Sequence, residues 1–166
     1  YQYMGARVLS RDALEYLQDN LRILSGFYGI LKPLDGIVPY RLEMQSKFIN
    51  YKNKDLYEYW ADKIANSLFE ETNLIINLAS KEYSKCVEKY LKNSPGTKFI
   101  TCVFGEINGD KVIEKGTLAK MARGEMVRYL AQNNVYDLEG LKRFDKLGYK
   151  YSQEKSNENT YVFIKY

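Results

Sequence analysis

The 166-residue chain contains no histidine. That absence removes Ser-His-Asp and Cys-His catalysis, His-ligated zinc and iron, and imidazole acid–base chemistry within this chain. Cysteine is nearly as scarce. Cys86 and Cys102 stand outside any C-x-x-C spacing, so no thiolate metal or redox motif is present. Two such cysteines suit a reducing cytoplasm, as small apolar residues or, if close, as a pair. No apolar run approaches the roughly 18 residues needed to cross a membrane, and no basic-then-apolar leader is visible. Neither G-x-x-x-x-G-K-[ST] nor G-x-G-x-x-G occurs, so there is no recognisable nucleotide loop. Carboxylate clusters of the kind that hold iron are missing too, which argues against iron storage or chelation. No cofactor, no metal site and no membrane association are expected.

What is present is ordinary in bulk and odd in detail. Apolar residues at 45% and charged residues at 28% describe a globular chain long enough for one domain with its own core. The net charge of +4 is mildly basic, which on its own says little about nucleic acid. Tyrosine is abundant, 16 against 7 phenylalanines. This is either a habit of the source or the lining of a wet aromatic cleft, since tyrosine joins a π-face to a polar tip. The first residue, Tyr1, is not a start methionine, so the chain reads as a fragment of a longer protein.

Local signals place the elements. Ser10 caps a helix expected to run to about Ser25, with Leu14, Leu17, Leu21 and Leu24 as its apolar stripe. Gly26 and Gly29 then kink the chain, Ile30 and Leu31 form a short apolar turn, and Pro33 bars further helix. Pro39 to Met44 alternates and reads as a short strand or extended segment. Asp55 and Glu58 cap a long helix carrying Leu56, Trp60, Ile64 and Leu68 on one face. Leu74 to Ala79 reads as a buried strand, and Ser80 caps a helix to about Leu91. Lys98 to Ile107 and Lys111 to Glu114 form a hairpin about Asn108-Gly109. Thr117 caps a helix to about Asn133, and Asp137 a short one ending near Phe144. Gly148 to Ser152 and Tyr161 to Lys165 close the chain as strands. The expected fold is α/β, or mixed α+β, with a mixed sheet and surrounding helices, in one domain spanning 1–166.

Four constellations carry possible chemistry. The Gly26–Gly29 segment can present backbone N–H groups to a phosphate in the manner of a helix-hairpin-helix, with Lys32 just beyond. Its glycines are three apart rather than the usual two, and a plain glycine cap with a packing turn is the alternative. On the helix after Thr117, Lys120, Gly124 and Arg128 stand at i, i+4 and i+8, with Arg123 beside them. A mid-helix glycine implies close approach of a backbone or a ligand. The basic ridge suits a phosphate strand or is a solvated face. Glu125 falls towards the apolar side, where it could pair with an arginine. Asn77, Ser80, Glu82 and Tyr83 sit where a strand feeds a helix, as an anion-receptive junction or as a cap with a solvated first turn. Arg41 and Glu43 share one side of their segment, as an ion pair or as cleft lining. An enzyme on a nucleotide, nucleic acid or other phosphorylated substrate would draw on Arg41, Glu43, Asn77, Ser80, Glu82 and Lys120.

Read together, these blocks resemble the YaaA family of bacterial peroxide-stress proteins. The resemblance rests on Leu21 to Asp35, Pro39 to Met44, Asp55-Leu56-Tyr57 with Trp60, and Ile76 to Ser80 with Glu82-Tyr83. Lys120 with Ala122-Arg123-Gly124, Gly148-Tyr149 and Val162-Phe163 complete it. It covers nearly the whole chain but only part of the family's length, because members carry a further N-terminal region of very roughly half this chain's size. Ser152 departs from the aspartate often found there. The resemblance implies a cytoplasmic protein, induced by hydrogen peroxide and associated with lower free iron and less oxidative DNA damage. It implies an α/β fold with a helix-hairpin-helix-like element and a positively charged cleft to which DNA binding is attributed; little specificity for sequence in that DNA, duplex or irregular, is expected, since nothing in the chain resembles a major-groove reading helix. By matching position, Gly26, Tyr28, Gly29 and Lys32 are the hairpin, and Arg41, Lys120, Arg123 and Arg128 the cleft.

Overall fold

A computed structural model describes residues 2–47 and 53–166. Its elements fall into two compact units, one formed by Tyr1–Asp19 with Ile100–Tyr166, the other by Asn20–Phe99.

The first unit is built on a mixed sheet. Strand β4 (Lys98–Asn108) runs parallel to β7 (Thr160–Lys165), pairing Thr101 with Thr160 through Gly105 with Ile164. Strand β6 (Tyr149–Ser152) lies antiparallel to β7, and β5 (Lys111–Ile113) folds back on the end of β4. The Asn108-Gly109 turn is where the sequence puts it. Gly109 has the positive φ of 59° that a tight hairpin needs. Phe104, Phe144, Phe163 and Tyr149 fill the core. Phe104 stacks on Phe163 at 5.2 Å, and Phe144 stands edge-on to both. Such pairs add about 0.5–1.5 kcal/mol each beyond their buried area. Helix α5 (Gly116–Gln132) buries Ala119, Ala122 and Met126, and α6 (Leu138–Lys142) buries Leu141. Asp137 caps α6 by accepting from the Gly140 amide at 2.6 Å.

Helix α1 (Arg11–Asn20) starts where expected, with the Ser10 hydroxyl accepting from the Ala13 amide at 3.2 Å. It ends five residues earlier than the leucine stripe suggests. The second unit shows why. Residues Ile23–Ser25 form strand β1, paired antiparallel with β2 (Gly29–Leu31), so Ile23 faces Leu31 and Leu24 faces Ile30. Arg22 anchors the entry to this hairpin by donating to Glu71 at 2.7 Å.

The long helix expected after Asp55 is two helices, α2 (Leu56–Trp60) and α3 (Lys63–Glu71). Asp55 caps the first through the Glu58 amide, at 2.9 Å. Ala61, at φ 45°, breaks the run, and Trp60 turns its indole N–H to the Gly26 carbonyl at 3.0 Å. Strand β3 (Leu74–Asn77) leads into α4 (Lys81–Glu88), shorter than expected because Leu91–Asn93 is a separate 3-10 turn. The core of this unit joins Met44, Leu56, Ile64, Ala65, Leu68, Cys86, Val87 and Phe99. Among the described residues, no helix is long and apolar enough to cross a membrane.

Candidate functional site

The Gly26–Gly29 segment is not a helix-hairpin-helix. It is the turn of the β1–β2 hairpin, and its amides are already committed. Ser25, 2% exposed, accepts from the Phe27 amide at 3.2 Å and the Tyr28 amide at 2.9 Å. Its hydroxyl also shares a hydrogen bond with the Tyr40 hydroxyl. Gly29 has φ 76°, and a Cβ there would lie 2.8 Å from two carbons of the Trp60 ring. Glycine is therefore needed for the conformation and for the space. The physical reason for the departure is pairing. Ile30 and Leu31 find ladder partners in Leu24 and Ile23, which a second short helix would forgo. Lys32 follows β2 with an exposed side chain, while its amide donates to Asp35 at 2.8 Å. Tyr28 accepts from the Val38 amide at 3.1 Å.

Arg41 and Glu43 are exposed and lie in a stretch without regular secondary structure, and no ion pair joins them. The backbone between them does approach the hairpin. A Cβ on Gly26 would come within 2.8 Å of the Leu42 carbonyl oxygen and 3.4 Å of the Glu43 carbonyl carbon. The same stretch reaches the start of α4, where the Gln45 amide and side chain donate to the two carboxylate oxygens of Glu82, both at 3.2 Å. The Tyr57 hydroxyl donates to the Glu82 carbonyl at 2.9 Å. Asn77, 6% exposed, accepts from the Ala79 amide at 3.0 Å. Ser80 is the first residue before α4 but makes no side-chain cap bond. Tyr83 packs against the core of this unit. Glu43, Asn77, Ser80, Glu82 and Tyr83 thus belong to one unit, and the Glu82 carboxylate and the Asn77 amide are engaged in holding loops.

Lys120, Arg123 and Arg128 belong to the other unit. Helix α5 turns Ala119, Ala122, Met126, Val127 and Ala131 inward, with Ala122 and Met126 fully buried. Lys120 is exposed and has no ion-pair partner among the described residues. Arg123 donates to Glu114 at 3.1 Å, and the same carboxylate oxygen accepts from the Phe104 amide at 3.3 Å. That arginine therefore secures the β5–α5 connection to β4. Among the described residues Glu125 makes no ion pair, so the possible pair with an arginine does not form there. Gly124 does mark a close approach, and the approaching backbone is the chain's own. A Cβ there would lie 2.8 Å from Cβ of Tyr3 and 3.2 Å from its carbonyl carbon. The short turn Gln2–Met4 crosses the ridge at this point and separates Lys120 from Arg128. Arg128 lies against the left-handed Gly5, with a guanidinium nitrogen 3.5 Å from where a Cβ would be. The buried Nε of Arg123 and of Arg128 lacks a hydrogen-bond partner.

Burial pushes the Cys102 thiol up to about 12 and the Cys86 thiol up to about 11, and both cysteines are free. Among the described residues, no group of three or more Asp, Glu, Cys or His comes together to hold a metal. The arrangement offers cationic side chains and aromatic surface rather than an acid–base pair. The Ser25–Tyr40 link and the Trp60 bond to Gly26 escaped the sequence reading. No local signal could have found them, because Trp60 lies about thirty residues along the chain from Gly26 and Gly29.

Comparison with known proteins gives a consistent result. A family model described as peroxide stress protein YaaA matches residues 1–155. A UPF0246 protein of Lachnoclostridium phytofermentans is 57% identical, covering 99% of this chain and 64% of its own length. UPF0246 proteins of Desulfitobacterium hafniense and Agathobacter rectalis are 52% and 53% identical, and 65% of each is covered. The chain spans just under two-thirds of the length of these relatives.

Proposed function

Because this chain belongs to the family of peroxide stress protein YaaA, we propose that it serves the peroxide-stress response by holding nucleic acid through its phosphates, limiting oxidative damage and free intracellular iron. The ligand is DNA, duplex or irregular, bound with little sequence preference. The observation that carries the reading is on α5, where Lys120 and Arg128 have no carboxylate partner among the described residues. A cation already paired must break that pair to meet a phosphate. An unpaired one gains the contact and releases counterions. Lys32 and Arg41 in the other unit are likewise without an ion pair and could add contacts of their own. Arg123 is set apart, because its bond to Glu114 gives it a structural task. The reading includes a cytoplasmic location, which two buried, free thiols suit.

Fluorescence anisotropy with a labelled duplex of about 20 base pairs tests it. Binding should weaken steeply with salt, the slope of log affinity against log salt being about −0.9 per phosphate contacted. Lys120→Glu should weaken binding at low salt and flatten that slope by about one contact. Lys120 is exposed, so the substitution leaves the fold intact. A slope and affinity unchanged in Lys120→Glu and in Arg128→Gln would remove α5 as the phosphate-binding element.

A further inference from the structure

In the second unit, the segment Phe27–Tyr40 turns apolar side chains outward. Phe27 is 55% exposed, Leu34 70%, Ile37 54%, Val38 65% and Tyr40 39%. Five of the thirteen large hydrophobic residues that are exposed among the described residues fall in this one stretch. Scattered exposed apolar residues need no explanation, whereas a run of them in one short segment marks a contact surface. The segment is also held in place from beneath. Val38 donates its amide to Tyr28, Tyr40 is tied to Ser25, and Asp35 closes a turn on Lys32. Phe27, Tyr28 and Tyr40 contact one another with ring centroids 4.9 to 5.5 Å apart. Pro33 and Pro39 limit the backbone at either end of its most exposed part. A surface that is preformed and apolar has the character of half an interface.

We propose that this strip is the docking surface for the part of the polypeptide by which the longer relatives exceed the matched stretch. The occupant is chosen on length. Those relatives share 52 to 57% identity with the chain across nearly all of it, yet roughly a third of each lies outside the match. A stretch of that size is enough for a small domain or a long wrapping segment, either of which needs an apolar partner surface. The inference does not rest on phosphate binding by α5, whose Lys120 and Arg128 lie outside the strip.

The test is amide hydrogen exchange by mass spectrometry, on peptides covering residues 33–43 of this chain and on the matching peptides of the full-length Lachnoclostridium phytofermentans relative. Protection relative to intrinsic rates should be at least ten times greater in the full-length protein, while the loop about Gly96 stays equally fast in both. Equal exchange across 33–43 overturns the proposal. The substitutions Ile37→Asp and Val38→Asp together should leave the urea midpoint of this chain unmoved. A large fall in midpoint overturns it too, because the strip would then be part of this chain's own core. Concentration-dependent dimerisation of this chain that the double variant abolishes would overturn the assignment too.

Discussion

Substituting Gly29 by alanine should destabilise the second unit by an amount that the structure sets in advance. At φ 76° the residue lies in the left-handed region, which costs an L-residue roughly 1–2 kcal/mol. The new methyl would lie 2.8 Å from two Trp60 ring carbons, an overpacking that typically costs about 1–3 kcal/mol. Trp60 cannot simply withdraw. Its indole N–H is bonded to the Gly26 carbonyl at 3.0 Å, and its ring stands edge-on to Tyr59 at 5.2 Å. Against this, alanine restricts the unfolded chain and returns about 0.4–1 kcal/mol. The net loss is about 1–4 kcal/mol. Trp60 is the sole tryptophan of the chain, so its fluorescence reports unfolding from within the perturbed contact. With a urea slope of about 1–3 kcal/mol per molar, the midpoint should fall by on the order of 1 M. The control is Gly96→Ala, where nothing lies within 4 Å of the added methyl and φ is not left-handed. It should stay within about 0.5 kcal/mol of the parent. Should Gly29→Ala unfold at the same urea concentration as Gly96→Ala, the hairpin–tryptophan contact is not the constraint described.

Three other outcomes follow from burial and capping. The Tyr16 hydroxyl is held by the Val135 carbonyl, and burial raises its pKa to about 12. An acid with a raised folded-state pKa holds its proton more firmly when folded. Its contribution is therefore complete below about pH 10 and lost as pH rises from there through 12. Urea midpoints of Tyr16→Phe should fall less than those of the parent over that range, and an identical decline would refute the assignment. Cys86 and Cys102 should react slowly with a thiol reagent in the folded protein and quickly in denaturant, because both are buried with raised pKa values. Fast labelling of either under native conditions would contradict the packing. Asp137→Ala removes the cap on α6 and should cost about 0.5–2 kcal/mol, read as a lower thermal midpoint.

The elements that the sequence announces are those whose signals are local. Ser10, Asp55 and Asp137 each bond to an amide within three residues, and Asn108-Gly109 needs only its own turn geometry. The elements it conceals depend on residues far along the chain. Leu21 and Leu24 continue the helical spacing of Leu14 and Leu17. What ends α1 is the ladder between Ile23 and Leu31 and the bond from Arg22 to Glu71, neither of which periodicity contains. The break at Ala61 is similar. No glycine or proline marks it, and the stripe from Leu56 to Leu68 passes across it unbroken in the sequence.

The candidate site shows the same division more sharply. Spacing places Lys120, Gly124 and Arg128 on one face of α5, and it calls for something close to Gly124. It cannot say what. A backbone and a phosphate both need room that a side chain would occupy, so the glycine is equally consistent with either. The structure gives the space to Tyr3, and this changes the chemistry of the face. On the proposed reading, a phosphate strand laid along the helix would meet the Gln2–Met4 turn near Gly124, and Lys120 and Arg128 would act as separate points of contact. Arg128 is also partly enclosed against Gly5 with its Nε unpartnered, whereas Lys120 is exposed. The shielded Nε has less water to lose on meeting an anion. On the proposed reading, Arg128 would orient a phosphate and Lys120 would attract one.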